Sequence, residues 1–104
     1  MIVSGWKNGN FLLQRPVALG LRVGRKNAAH LFEKEWGGVL IEMEGMTVPV
    51  RITKAFWSSC PELRSSAIGA WMKKRGLVPW IKGKPPQMRL TPLRGNRFRL
   101  DADE

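Results

Sequence analysis

Apolar and polar positions alternate with a period of two over much of this chain. Leu19, Leu21 and Val23 alternate with Gly20 and Arg22, as in a strand with one buried face. Val39, Ile41 and Met43 alternate with Leu40, Glu42 and Glu44. Val48, Val50 and Ile52 alternate with Thr47, Pro49 and Arg51. Glu44-Gly45-Met46 lies between these two runs, which predicts a hairpin. Pro49 has no N–H to give to a ladder, so its strand belongs at an edge. Near the C-terminus, Met88 and Leu90 alternate with Arg89 and Thr91, and Phe98 and Leu100 with Arg97 and Arg99. Arg94-Gly95-Asn96 joins them as a turn, giving a second hairpin with one apolar and one basic face. Residues 1–10 open on Ile2, Val3 and Trp6 and end in the turn-like Lys7-Asn8-Gly9-Asn10; residues 11–14 are a short strand candidate that Arg15-Pro16 interrupts.

Two stretches carry helical spacing instead. Asn27 is placed to cap a short helix over residues 28–34 that buries Leu31 and Phe32, and Gly37-Gly38 ends it. In residues 59–84, Ser59 and Glu62 have the spacing of a capping box, with Pro61 in the first turn. Leu63, Ala67, Ala70 and Trp71 then recur on one stripe. Ser65 or Ser66 offers a later start for a shorter helix. Lys73, Lys74 and Arg75 crowd the last turn, where cations suit the helix dipole, and Gly76 stands where a left-handed cap falls. Residues 53–64, with Phe56, Trp57, Ser58 and Ser59, read as a loop before this helix. The pattern as a whole predicts an α+β, mostly β fold: a small open barrel or pseudobarrel of about six or seven short strands with two helices. Residues 1–100 form a single basic domain, and residues 101–104 an acidic tail.

Charge changes the picture most. The chain of 104 residues has a net charge of +10. Residues 1–45 carry six Lys/Arg against four Glu, residues 46–100 twelve against one, and the last four residues three acids. Self-repulsion of that size is ordinarily offset by a polyanion. No stretch has the length or pattern of a spanning or interfacial helix, so nucleic acid is the expected partner and a membrane is not. The bland alternative is a solvated basic surface. The lone Cys60 forms no internal disulfide, and residues 1–10 lack a signal-peptide core. A cytoplasmic setting is expected, nucleoid-associated in a bacterium.

Catalytic constellations are sparse. His30 is the only histidine and has no partner at metal spacing. Cys60 at a helix start has one histidine at most to serve as its base. Glu42 and Glu44 are two apart at a hairpin mouth, where a solvated face is the ordinary reading and a nuclease metal site the sharper one. No phosphate-binding glycine loop is present. No catalytic residue, metal or cofactor is assigned. The basic residues are more specific as a set. Arg15, Arg22, Arg25 and Lys26 cluster around the second strand; Arg51, Lys54 and Arg64 bracket a segment with Trp57, Ser58 and Ser59. Arginine makes bidentate contacts to guanine or phosphate, serine hydroxyls reach phosphates, and aromatics among cations suit base stacking. Most of the five tryptophans are expected in the core, with Trp57 the exception.

The run LRVGRKNAAHLFEKEWGGVLIEMEGMTVPVRIT resembles the first half of a B3-type DNA-binding domain: an extended strand, a short helix after a basic turn, and a strand pair enclosing a glycine turn. AIGAWMKKRGL, MRLTPL and NRFRL resemble the helix and closing strands of the second half. Plant versions carry Gly-Asp after the second helix where this chain has Gly83-Lys84, so the recognition domains of some restriction enzymes are the better comparison. The resemblance implies a seven-stranded open pseudobarrel gripping the major groove with two arms. These map to about residues 15–21 and 54–64. The expected function is a non-catalytic module binding double-stranded DNA, with further protein subunits as possible partners. The alternatives are a small metal-independent ribonuclease of the toxin kind, an RNA- or ribosome-binding accessory protein, and a protein-interaction module for an acidic partner.

Overall fold

The computed structural model describes residues 1–7, 19–59, 61–81 and 83–102. Seven strands form one sheet: β1 (Ile2–Lys7), β2 (Leu19–Arg22), β3 (Gly38–Met43), β4 (Met46–Arg51), β5 (Glu62–Arg64), β6 (Gln87–Pro92) and β7 (Arg97–Ala102). Three short helices, α1 (Arg25–Leu31), α2 (Lys54–Ser58) and α3 (Ser66–Lys74), are threaded between them. The spatial order is β4-β3-β7-β6-β1-β2-β5, every pair antiparallel except β3 with β7. The two end strands, β4 and β5, approach each other without a ladder between them, so the sheet curls into an open barrel with a seam. The fold is α+β, mostly β, as the alternation predicts.

The predicted hairpins are present. Glu44 (φ 47°) and Gly45 (φ 79°) are the two central residues of the β3–β4 turn, both left-handed, as a type I′ turn requires. Pro49 lies exposed on β4, an end strand of the sheet. Met88 and Leu90 on β6 and Phe98 and Leu100 on β7 face the core, leaving Arg89, Arg97 and Arg99 outside. The barrel interior also takes Val3, Leu19, Leu21, Val39, Ile41, Met43, Val50 and Leu63, with Ile68, Trp71 and Met72 of α3 packed in.

Several expectations are corrected. Residues 59–64 are not the first turns of the long helix. Leu21 pairs with Leu63 in a β2–β5 ladder, and a fully buried Leu63 facing the interior outweighs the capping-box spacing of Ser59 and Glu62. The helix starts at the later position, where the Ser65 hydroxyl accepts a hydrogen bond from the Ile68 N–H at 3.4 Å. Its other end is as expected: Gly76 is left-handed (φ 72°), its N–H donates to the Lys73 carbonyl, and the Leu77 N–H donates to that of Met72, a Schellman cap. Residues 53–64 contain α2 and β5 rather than a plain loop. The first helix begins at Arg25, with Gly24 at its cap position. Asn27 does not cap it; its side-chain amide donates to the Val23 carbonyl at 2.9 Å and to the Ile2 carbonyl at 3.3 Å, tying α1 to β1 and to the residue just after β2. The strand candidate at residues 11–14 lies outside the described residues.

Candidate nucleic-acid interface

Aromatic packing sets the position of the segment between β4 and β5. Phe56 of α2 is buried against Phe32, just past α1, with ring centroids 5.1 Å apart, and Phe32 stacks on Phe98 of β7 at 4.8 Å. Burying a phenylalanine is worth roughly 1.5–3 kcal/mol, so Phe56 is the main apolar anchor of this five-residue helix. The backbone is tied at both ends: the Ile52 N–H donates to the Gly37 carbonyl at 3.0 Å, and the Pro61 carbonyl accepts from the Val23 N–H at 2.8 Å. With Phe56 inward, Lys54, Ser58 and Ser59 are left exposed and Trp57 half-buried.

On one flank of this segment is a pocket of about 160 Å³ lined by Arg51, Thr53, Ala55, Glu62 and Arg64, so it lies along the seam between β4 and β5. Glu62 is its acidic element. Only 6% of its side chain is exposed. One carboxylate oxygen takes the Arg64 guanidinium at 3.1 Å and the other takes that of Arg22 at 3.5 Å. The β2–β5 register explains this, since Arg22 stands directly opposite Glu62 and Arg64 is two residues along the same face. Arg22 and Arg64 therefore share one carboxylate and Arg51 lines the same pocket, with Lys54 exposed at the start of α2, leaving positive charge in excess.

On the other flank is a pocket of about 350 Å³ lined by Arg25, Ala28, Ala29, Phe32, Lys34, Phe56, Trp57, Ser58 and Pro61. The Lys34 ammonium lies over the Trp57 ring, 5.9 Å from its centroid. The structure thus brings Arg22, Arg25, Arg51, Trp57, Ser58 and Arg64 to the two sides of one segment. Lys26 is exposed on α1 but lines neither pocket, and Ser59 closes α2, its N–H donating to the Ala55 carbonyl. Arg15 lies outside the described residues, as do residues 15–18 of the first mapped arm; the remainder of that arm, residues 19–21, is buried strand.

Three participants carry no plain signal in the sequence. Lys34 reaches Trp57 only because α1 and α2 are neighbours. Glu62, the single acid among twelve cations of residues 46–100, organises two of the predicted arginines. Trp6 lies beneath Arg64, whose guanidinium is 4.5 Å from the ring centroid; the small Gly20 between two leucines was the one trace of that contact.

The cations of the C-terminal half do not all converge here. Arg75 and Lys74 at the end of α3 pair with Glu44 at 2.7 and 3.5 Å, and Arg97 pairs with Glu42 at 3.2 Å. Glu44 sits at the far end of β4 from Arg51, roughly 17 Å away for a six-residue strand. These pairs also give Glu42 and Glu44 separate cationic partners, and no group of metal-ligating side chains occurs among the described residues. His30 is exposed on α1, and Cys60 is outside the described residues. Two tryptophans, Trp6 and Trp71, are buried, while Trp36, Trp57 and Trp80 are half-buried, fewer in the core than expected. No helix among the described residues is long and apolar enough to cross a membrane. Comparison of the chain with protein-family models, curated proteins and solved structures finds no match.

Proposed function

We propose that this protein is a non-catalytic module that binds duplex DNA through the segment of residues 54–64 and the basic side chains flanking it. The observation that carries the reading is the seam: Arg22 and Arg64 share the single Glu62 carboxylate there and Arg51 lines the same pocket, so the local charge stays positive after internal pairing. Arginines make phosphate contacts and supply the bidentate donors that base edges accept. A seven-stranded open barrel is also what the B3-type likeness implies, and that agreement of fold supports it. The first arm of that likeness, at residues 15–21, remains part of the proposal only through Arg15.

Binding of fluorescent duplex DNA, single-stranded DNA and duplex RNA of one sequence, at one salt concentration, tests this directly. Duplex DNA is expected to bind tightest. R51A and K54A are each expected to weaken it several-fold, roughly 0.5–1.5 kcal/mol for an exposed phosphate contact, while H30A leaves it unchanged. Tighter binding to RNA, or cleavage of it, would replace this reading with the RNA-binding or ribonuclease alternative.

A further inference from the structure

Arg64 is held in a way that the neighbouring cations are not. Its guanidinium lies against the Trp6 ring at 4.5 Å, and one of its nitrogens donates to Glu62 at 3.1 Å. Trp6, Gly20 and Arg64 are in register across β1, β2 and β5, so Gly20 stands between the tryptophan and the arginine. A Cβ at Gly20 would lie 2.4 Å from the Leu63 carbonyl oxygen, and any side chain there would enter the space that Arg64 crosses to reach Trp6. Only 6% of the Glu62 side chain is exposed and its second oxygen is taken by Arg22, so the carboxylate is fixed from two sides. The Arg64 side chain is nevertheless 56% exposed. Its guanidinium thus lies over a ring and is anchored to a carboxylate, while the side chain stays more than half exposed.

Resting on the DNA-binding reading above, we propose that Arg64 is the residue with which this surface discriminates among base pairs, reading a guanine edge, and that Glu62 and Trp6 are its positioning residues. A guanidinium clamped in one plane loses little rotamer entropy on making two parallel hydrogen bonds. Such a fork matches the O6 and N7 acceptors of guanine, and unlike a phosphate contact it carries base-pair preference. An Arg held by an aromatic face and a buried carboxylate is therefore built for a directional contact. Lysine at this position would keep the charge and lose the plane, the stack and the fork together.

The test is selection of preferred sites from random duplex DNA, followed by affinities for the selected site and a scrambled duplex at fixed salt. Wild type is expected to select a site containing a G·C pair that it prefers over A·T. In R64K the preference at that pair is expected to fall roughly 10- to 100-fold, with affinity for the scrambled duplex within about 2-fold of wild type because the charge remains. E62Q is expected to reduce the same preference less, with the fold checked by near-UV circular dichroism. Retention of full base-pair preference by folded R64K overturns the proposal. Salt-dependent duplex binding by wild type without any sequence preference also overturns it, while leaving the DNA-binding reading intact. Absence of nucleic-acid binding by wild type overturns both.

Discussion

Gly20 shows how one residue without a side chain can set a surface. Its missing Cβ allows the Leu63 carbonyl to approach and Arg64 to reach Trp6. G20A is therefore expected to cost about 1–3 kcal/mol, as overpacking against backbone does, read as a lowered urea midpoint at unchanged m-value. Gly37 is the internal control. Nothing lies within 4 Å of its would-be Cβ and its φ is not positive, so G37A is expected to be neutral to within about 0.5 kcal/mol. Neither role follows from composition. A glycine inside an alternating strand signals a close approach of some kind, but the partner, Leu63, is 43 positions away, and only the fold supplies it.

At the scale of elements, the helix start separates a local rule from a tertiary one. Ser59 and Ser65 both satisfy the spacing for a cap. The cap falls at Ser65 because Leu63 has a place in the barrel wall that a helix turn would forfeit. S65A is expected to destabilise the protein by about 1 kcal/mol, and S59A by less than half of that, measured by chemical denaturation. The hairpins were legible because strand, turn and strand are contiguous, and Glu44-Gly45 carries the turn chemistry in two residues. The five residues of α2 and three of β5 were not, being too short to show a period. Their positions come from Phe56 packing on Phe32 and from Pro61 accepting from Val23, contacts 24 and 38 residues apart in the chain. Phe56→Ala is expected to cost about 3–5 kcal/mol, and it should weaken DNA binding beyond the effect of any single exposed cation, because it frees the whole segment.

For the whole molecule, the sheet order determines which charges meet. The sequence places its cation surplus after residue 45, yet the seam draws Arg22 from the first half, the opposite flank draws Arg25, and Lys74, Arg75 and Arg97 are left paired to glutamates elsewhere. Candidate residues were readable as types and as local clusters. Their convergence depends on the β2–β5 ladder and on the curling that brings β5 near β4, both long-range events without a local sequence signature. The central claim is that this converged charge meets a chain of phosphates. The direct measurement is duplex DNA affinity as a function of salt between 50 and 200 mM. With about five phosphates neutralised, log Kobs should fall against log salt with a slope near −4.5, a loss of roughly 500-fold over that range, and the slope should shrink by about one in K54A. A flat salt response, or a slope that K54A and R51A leave unchanged, would contradict it.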